Sequence, residues 1–75
     1  MRRPKKRDAA LARTIGRRVK AAREKIKLSR LDLARAIEVD RVEVLRIEHG
    51  QRTPRIETLV RIARLLRVPI TKLLS

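Results

Sequence analysis

The segment Leu28 to Arg55, LSRLDLARAIEVDRVEVLRIEHGQRTPR, holds two helix starts and one helix stop in close succession. Ser29 is a favoured N-cap type, and Asp32 stands three residues on, where a capping-box acid reaches back to the cap. Leu31, Leu33, Ala34 and Ile37 follow at helical spacing and give this first short helix an apolar face. Asp40 and Glu43 repeat the cap-and-acid pattern; the capping-box acid is the favoured reading of Glu43, and a specificity element accepting from a cytosine N4 is the other. Gly50 marks the stop, because glycine accepts the left-handed conformation at C′.

Two capped helices this close in sequence must turn sharply against each other, which is a helix-turn-helix arrangement. At about 100° per residue, Val44 and Ile47 share one side of the second helix, and that side is expected to face the core. Arg41, Val42, Leu45, Arg46 and His49 gather on the other side. Arginine can donate two hydrogen bonds to guanine O6 and N7, and an aliphatic side chain can touch a thymine methyl. This composition suits a duplex groove. A solvated face with two stray apolar residues is the plainer alternative.

The chain has 75 residues, enough for one small domain with one core. It contains no Phe, Tyr or Trp, so the core must be aliphatic. Without aromatic platforms for unpaired bases, single-stranded nucleic acid is a poor candidate for the main ligand, whereas a duplex needs none. Twenty-two Lys and Arg against eight Asp and Glu give a formal charge of +14, which points to a polyanionic partner. Sixteen of those cations are arginines, whose planar fork suits phosphate and guanine. A membrane surface fits less well, since no amphipathic segment carries interfacial Trp or Phe. No apolar run approaches the ~20 residues of a spanning helix, and no signal-peptide core is present. The absence of cysteine excludes disulfides and Cys-based zinc sites and fits a cytoplasmic location.

Residues 1–7, MRRPKKR, read as a disordered basic arm, and residues 8–75 as the folded domain. The arm has the composition of a groove-binding or phosphate-binding extension, and a solubilising tail is the alternative. Asp8 is the expected cap of a long first helix reaching Lys25 or Ile26. Leu11, Ile15, Val19, Ala22 and Ile26 form its buried stripe. Gly16 costs this helix about 1 kcal/mol relative to alanine, and close packing would explain its presence. Thr53 and Pro54 read as N-cap and N1 of a fourth helix, with Ile56, Leu59, Val60, Ala63 and Leu66 facing the core. The free N–H groups of that helix start, beside Arg52 and Arg55, suit a phosphate. Ordinary capping is the bland reading of the same residues, and the two are compatible. After the break at Val68-Pro69, Ile70, Leu73 and Leu74 form a last short helix that either completes the core or meets a second copy.

Four pieces in order, K-A-A-R-E (Lys20 to Glu24), L-S-x-x-x-L-A (Leu28 to Ala34), V-D-R-x-x-V-x-R-I-E-x-G (Val39 to Gly50) and P-x-x-x-T-L-x-x-I-A-x-x-L-x-V (Pro54 to Val68), resemble the phage-repressor and Cro-like family of helix-turn-helix proteins, the XRE family. The resemblance runs from about Ile15 to Leu74. It implies an all-α, five-helix, lambda-repressor-like bundle with the helix-turn-helix at helices two and three. Base edges would be met by Arg41, Val42 and Arg46, with Leu45 on the same face. Arg30 falls where the family often carries a phosphate-binding glutamine, and Arg23 and Glu48 fall on its ion pair between helices one and three. Lys27, Glu38 and Arg67 stand where glycine is frequent, so each either costs about 1 kcal/mol in a left-handed turn or forces a different turn.

These readings together lead to a sequence-specific, double-stranded DNA-binding transcription regulator, a homodimer on a palindromic operator. Phosphate contacts are expected from Arg30, His49, Gln51, Arg52, Thr53 and Arg55, and dimer contacts from Ile70, Leu73 and Leu74. An antitoxin or controller-type interaction module, holding a toxin or RNA polymerase, is the alternative, and a non-specific nucleoid or RNA coat comes third. No enzyme, metal or cofactor is expected. His49 is the only histidine, and Ser29 and Thr53 are accounted for as caps. Localisation is expected to be cytoplasmic, on the nucleoid.

Overall fold

Five helices follow one another, α1 (Ala9–Lys25), α2 (Arg30–Ala36), α3 (Arg41–Glu48), α4 (Ile56–Leu66) and α5 (Ile70–Leu74), with no β-strand among the described residues. The computed structural model describes residues 8–75, so the basic arm lies outside the described residues. All five helices contribute to one aliphatic cluster built around Ile15, Val19, Leu33, Val44, Ile62 and Leu73. The expected all-α five-helix bundle is the fold. No helix among the described residues is long and apolar enough to cross a membrane.

The buried side of each helix departs from simple apolar counting in ways that matter for α3. On α1 the buried line is Ala12, Ile15, Gly16, Val19 and Arg23, whereas the expected stripe members Leu11 and Ile26 are each 45% exposed. The line is turned toward Gly16 and Arg23 because α1 packs against the end of α3, where a small residue and an ion pair are needed. On α2, Leu33, Ala34 and Ile37 are buried, but Leu31 remains 42% exposed. On α3, Val44 and Ile47 are buried as expected, and Glu48 joins them.

α4 starts later than the Thr53-Pro54 reading places it. Its N-cap is Arg55, in extended conformation at φ −64° and ψ 158°. Pro54 is buried and precedes the helix rather than opening it. Ile56 is therefore 60% exposed at the helix start, and the core face is Leu59, Ile62, Ala63 and Leu66. Leu73 of α5 is 1% exposed and completes the core of the single chain.

Helices α1 to α4 all end in the same hydrogen-bonded turn. In each, the N–H of the residue after the turn reaches back to the carbonyl five residues earlier: Leu28 to Arg23 at 3.1 Å, Val39 to Ala34 at 2.9 Å, Gln51 to Arg46 at 2.9 Å and Val68 to Ala63 at 3.0 Å. This closure needs a left-handed residue just before it, and those residues are Lys27 (φ 57°), Glu38 (φ 59°), Gly50 (φ 73°) and Arg67 (φ 57°). The three non-glycine residues thus adopt the glycine-type turn at a cost of about 1 kcal/mol each. Leu28, Val39 and Val68, which follow them, pack against the core and offset that strain. Gln51, after Gly50, is exposed and supplies no such anchor. Space also requires glycine at 50, since a Cβ there would lie 2.8 Å from Arg13 Cγ and 3.0 Å from Arg13 Cα.

Candidate nucleic-acid interface

α3 has a side-chain cap at its start. Asp40 Oδ1 accepts from the Val42 N–H at 2.9 Å, and Ser29 Oγ does the same for α2 from Asp32 N–H at 3.0 Å. Capping satisfies one orphan donor of each helix and lets segments of eight and seven residues persist. With Val44, Ile47 and Glu48 turned inward, the outward side of α3 is centred on Val42, which is 41% exposed. Arg41 flanks it on the side nearer α2, and Arg46 lies on the other.

Between the start of α2 and this outward side lies a groove of about 540 Å³, lined by Arg23, Ser29, Arg30, Leu31, Arg41, Val42 and Leu45. Leu31 thereby joins Val42 and Leu45 in one apolar strip with Arg30 and Arg41 at its rim. The helical pattern of α2 assigns Leu31 to the core, and only its two-residue offset from Leu33, about 200° around the helix, points the other way.

The third helix is held from behind by a buried charge cluster. Glu48 accepts from Arg23 Nε at 2.7 Å and Arg23 Nη2 at 3.2 Å, and from Arg30 Nε at 2.9 Å. Arg23 Nη1 donates to the Leu28 carbonyl at 2.8 Å. One carboxylate therefore ties α1, the turn after it, α2 and α3 together. The Glu48 side chain is 0% exposed and that of Arg23 9%, whereas Arg30 retains 37% and can turn its Nη groups outward. The hydrogen bond that Arg23 donates to Glu48 is the largest influence on Arg23 and raises its pKa above the ordinary arginine value. Burial opposes this, and the charges of Glu48 and Glu24 add to it.

Glu43 does not act as the capping-box acid. Its Oε1 accepts from Arg46 Nη1 at 3.1 Å, so the carboxylate is turned along the helix. The same spacing of three separates Glu43 from Asp40 and from Arg46, and the stronger charged partner wins. Arg41 is exposed, and Leu45 and Arg46 are half-buried. His49, Gln51 and Arg55 are exposed and Arg52 is half-buried. Arg55 caps α4 without a side-chain hydrogen bond, so the first-turn N–H groups have no capping side chain. The Thr53 Oγ1 is buried, with no hydrogen-bond partner among the described residues. Leu73 is buried in the core of the single chain. Ile70 is half-buried and Leu74 is 39% exposed. Among the described residues no group of three or more His, Cys, Asp or Glu side chains is placed to hold a metal ion.

Among curated proteins none is significantly similar to this chain. Among solved structures, the restriction-modification controller protein C.AhdI from Aeromonas hydrophila is 28% identical, with a TM-score of 0.79 over 85% of this chain and 97% of that one. An HTH_3 family transcriptional regulator from Vibrio cholerae is 27% identical, with a TM-score of 0.79 over 88% of this chain and 37% of that one. The DNA-binding domain of BldD is 25% identical, with a TM-score of 0.77 over 89% of this chain and 97% of that one. The helix-turn-helix family model HTH_3 matches residues 19–73, from the middle of α1 into α5. The chain belongs to that family, the XRE-type helix-turn-helix DNA-binding regulators.

Proposed function

We propose that the protein is a sequence-specific transcription regulator that lays α3 in the major groove of double-stranded DNA and acts as a homodimer on a palindromic operator. The observation that carries this reading is the outward side of α3. It is a braced helix of eight residues with two arginines and an apolar strip, and its diameter of about 10–12 Å fits a groove about 12 Å wide. Arg41, Val42, Leu45 and Arg46 read base edges. Arg30, His49, Gln51, Arg52, Arg55 and the open start of α4 hold phosphates. Ile70 and Leu74 on α5 supply the dimer contact, which sets two half-sites about 34–36 Å apart. The formal charge of +14 supports association with the nucleoid in the cytoplasm. Similarity to a restriction-modification controller protein supports a regulatory role rather than a coat.

Binding of Arg46→Ala and Arg52→Ala to a panel of duplexes, followed by fluorescence anisotropy over a range of salt, tests this division of labour. Arg46→Ala is expected to compress the spread of affinities among sequences. Arg52→Ala is expected to weaken every duplex alike and reduce the log–log salt slope by about 0.9. Identical behaviour of the two variants would contradict the division. A stoichiometric protein partner persisting after nuclease treatment, with no selective duplex binding, would support the interaction-module alternative instead.

A further inference from the structure

We propose that Glu43 and Arg46 read one G·C base pair as a unit, the carboxylate taking the cytosine and the guanidinium the guanine, an inference that rests on the groove-reading role of α3. The two side chains sit one helical turn apart, with Arg46 Nη1 and Glu43 Oε1 at 3.1 Å. Glu43 is 25% exposed and Arg46 41%, so the pair is accessible from the outward side of α3 without being loose. Glu43 is turned along the helix to Arg46 and is not engaged in capping. Apart from the bond between them, neither side chain has another hydrogen-bond partner among the described residues, so Arg46 keeps spare donors and Glu43 a spare acceptor oxygen.

The edge they present is a row of two donors, from the guanidinium nitrogens not bonded to Glu43, beside the carboxylate acceptor. In the major groove, a G·C pair shows the guanine acceptors N7 and O6 followed directly by the cytosine N4 donor. Donor meets acceptor at guanine, and acceptor meets donor at cytosine. An A·T pair shows an acceptor, a donor, an acceptor and then a methyl group, which leaves at least one of the two guanidinium donors facing a donor or the methyl in either orientation. A carboxylate on a face directed at a polyanion repels phosphate, and only a base-edge donor compensates for that repulsion. The contact also restrains Arg46, whose free guanidinium would otherwise sample phosphates on either side of the groove.

Selection of bound sequences from a random duplex pool, run in parallel with wild type, Glu43→Gln, Glu43→Ala and Arg46→Ala, tests the assignment. Wild type is expected to fix one G·C pair in each half-site. Both Glu43 variants and Arg46→Ala are expected to relax that same position, with discrimination there falling about tenfold. Affinity of the Glu43 variants for duplexes lacking the pair is expected to rise, since one negative charge has gone. Unfolding midpoints should stay at the wild-type value, because an exposed i, i+3 pair contributes little stability. A wild-type motif left unchanged by both Glu43 variants would overturn the dyad while leaving groove reading by α3 intact. Relaxation at a different position from that of Arg46→Ala would also overturn it. A wild-type pool with no enriched motif would overturn both the dyad and sequence-specific reading.

Discussion

Replacing Glu48 by alanine is expected to destabilise the protein by about 3–5 kcal/mol, because it leaves the buried guanidinium of Arg23 without its counter-charge. A domain of this length has roughly 4–11 kcal/mol in all, so the variant will sit close to unfolding at room temperature. The Glu48 carboxylate is fully buried and Arg23 nearly so, and water cannot replace the lost partner. Arg30 contributes less to this cost, being 37% exposed and able to return to solvent. Thermal unfolding followed by far-UV circular dichroism should show a drop of roughly 15 °C or more, at 4–8 °C per kcal/mol for a domain of this size. Substituting both partners with apolar residues of similar length, Arg23→Met with Glu48→Met, is expected to recover most of that loss. A Glu48→Ala variant that melts within a few degrees of wild type would show that the cluster is better solvated than its burial indicates.

Gly16→Ala is expected to destabilise by about 2 kcal/mol net, against the direction that helix propensity alone dictates. Propensity favours alanine over glycine within a helix by about 1 kcal/mol. Against that, a Cβ at position 16 would lie 2.5 Å from the Glu48 carbonyl oxygen, 2.8 Å from the Glu48 carbonyl carbon, and closer still to the Ile47 carbonyl oxygen. These atoms are backbone, so no side chain can swing aside, and the end of α3 must move away from α1. Overpacking of this kind costs about 1–3 kcal/mol and more when rigid elements collide, so it outweighs the propensity gain. Urea unfolding gives the sign directly. A midpoint that rises by the amount propensity predicts would contradict the close approach of α1 and α3. Because the displaced element is the one proposed to read DNA, duplex affinity should fall in the same variant under conditions where it remains folded.

Both effects arise at a contact that hydrophobic periodicity does not register. Counting apolar residues along α1 selects Leu11 and Ile26, which the fold leaves half in water, and passes over Gly16 and Arg23, which it buries. The reason is that α1 meets the C-terminal end of α3, where backbone approaches backbone and a charged pair closes the gap. Only the resemblance to the XRE family pointed to Arg23 and Glu48. By contrast, the caps are readable because they are local. Ser29, Asp40 and Gly50 each answer an unsatisfied backbone group within three residues of themselves, and the structure uses all three in that way.

The turns at Lys27, Glu38 and Arg67 show the limit of residue preference. Glycine statistics alone would move these helix ends elsewhere, yet the apolar residue that follows each one anchors the left-handed turn by burial. Ile56 and Thr53 are misplaced by a local rule. A cap-and-proline pattern places the start of α4 at Pro54, whereas the helix begins after Arg55, with Pro54 buried ahead of it. Glu43 is ambiguous, since the capping and ion-pair patterns share one spacing. On the outward side of α3, however, the helical wheel and the structure put the same residues toward solvent: Arg41, Val42, Leu45, Arg46 and His49 all keep exposed surface.

Whether that side faces the major groove is decided most directly by methylation interference on a duplex selected by the protein. Dimethyl sulfate marks guanine N7 in the major groove and adenine N3 in the minor groove. With α3 in the major groove, N7 methylation is expected to abolish binding in two clusters about one helical turn apart, and N3 methylation between them to be tolerated. Binding that survives N7 methylation throughout but fails on N3 methylation would place the protein on the other groove and contradict the role assigned to Arg41 and Arg46.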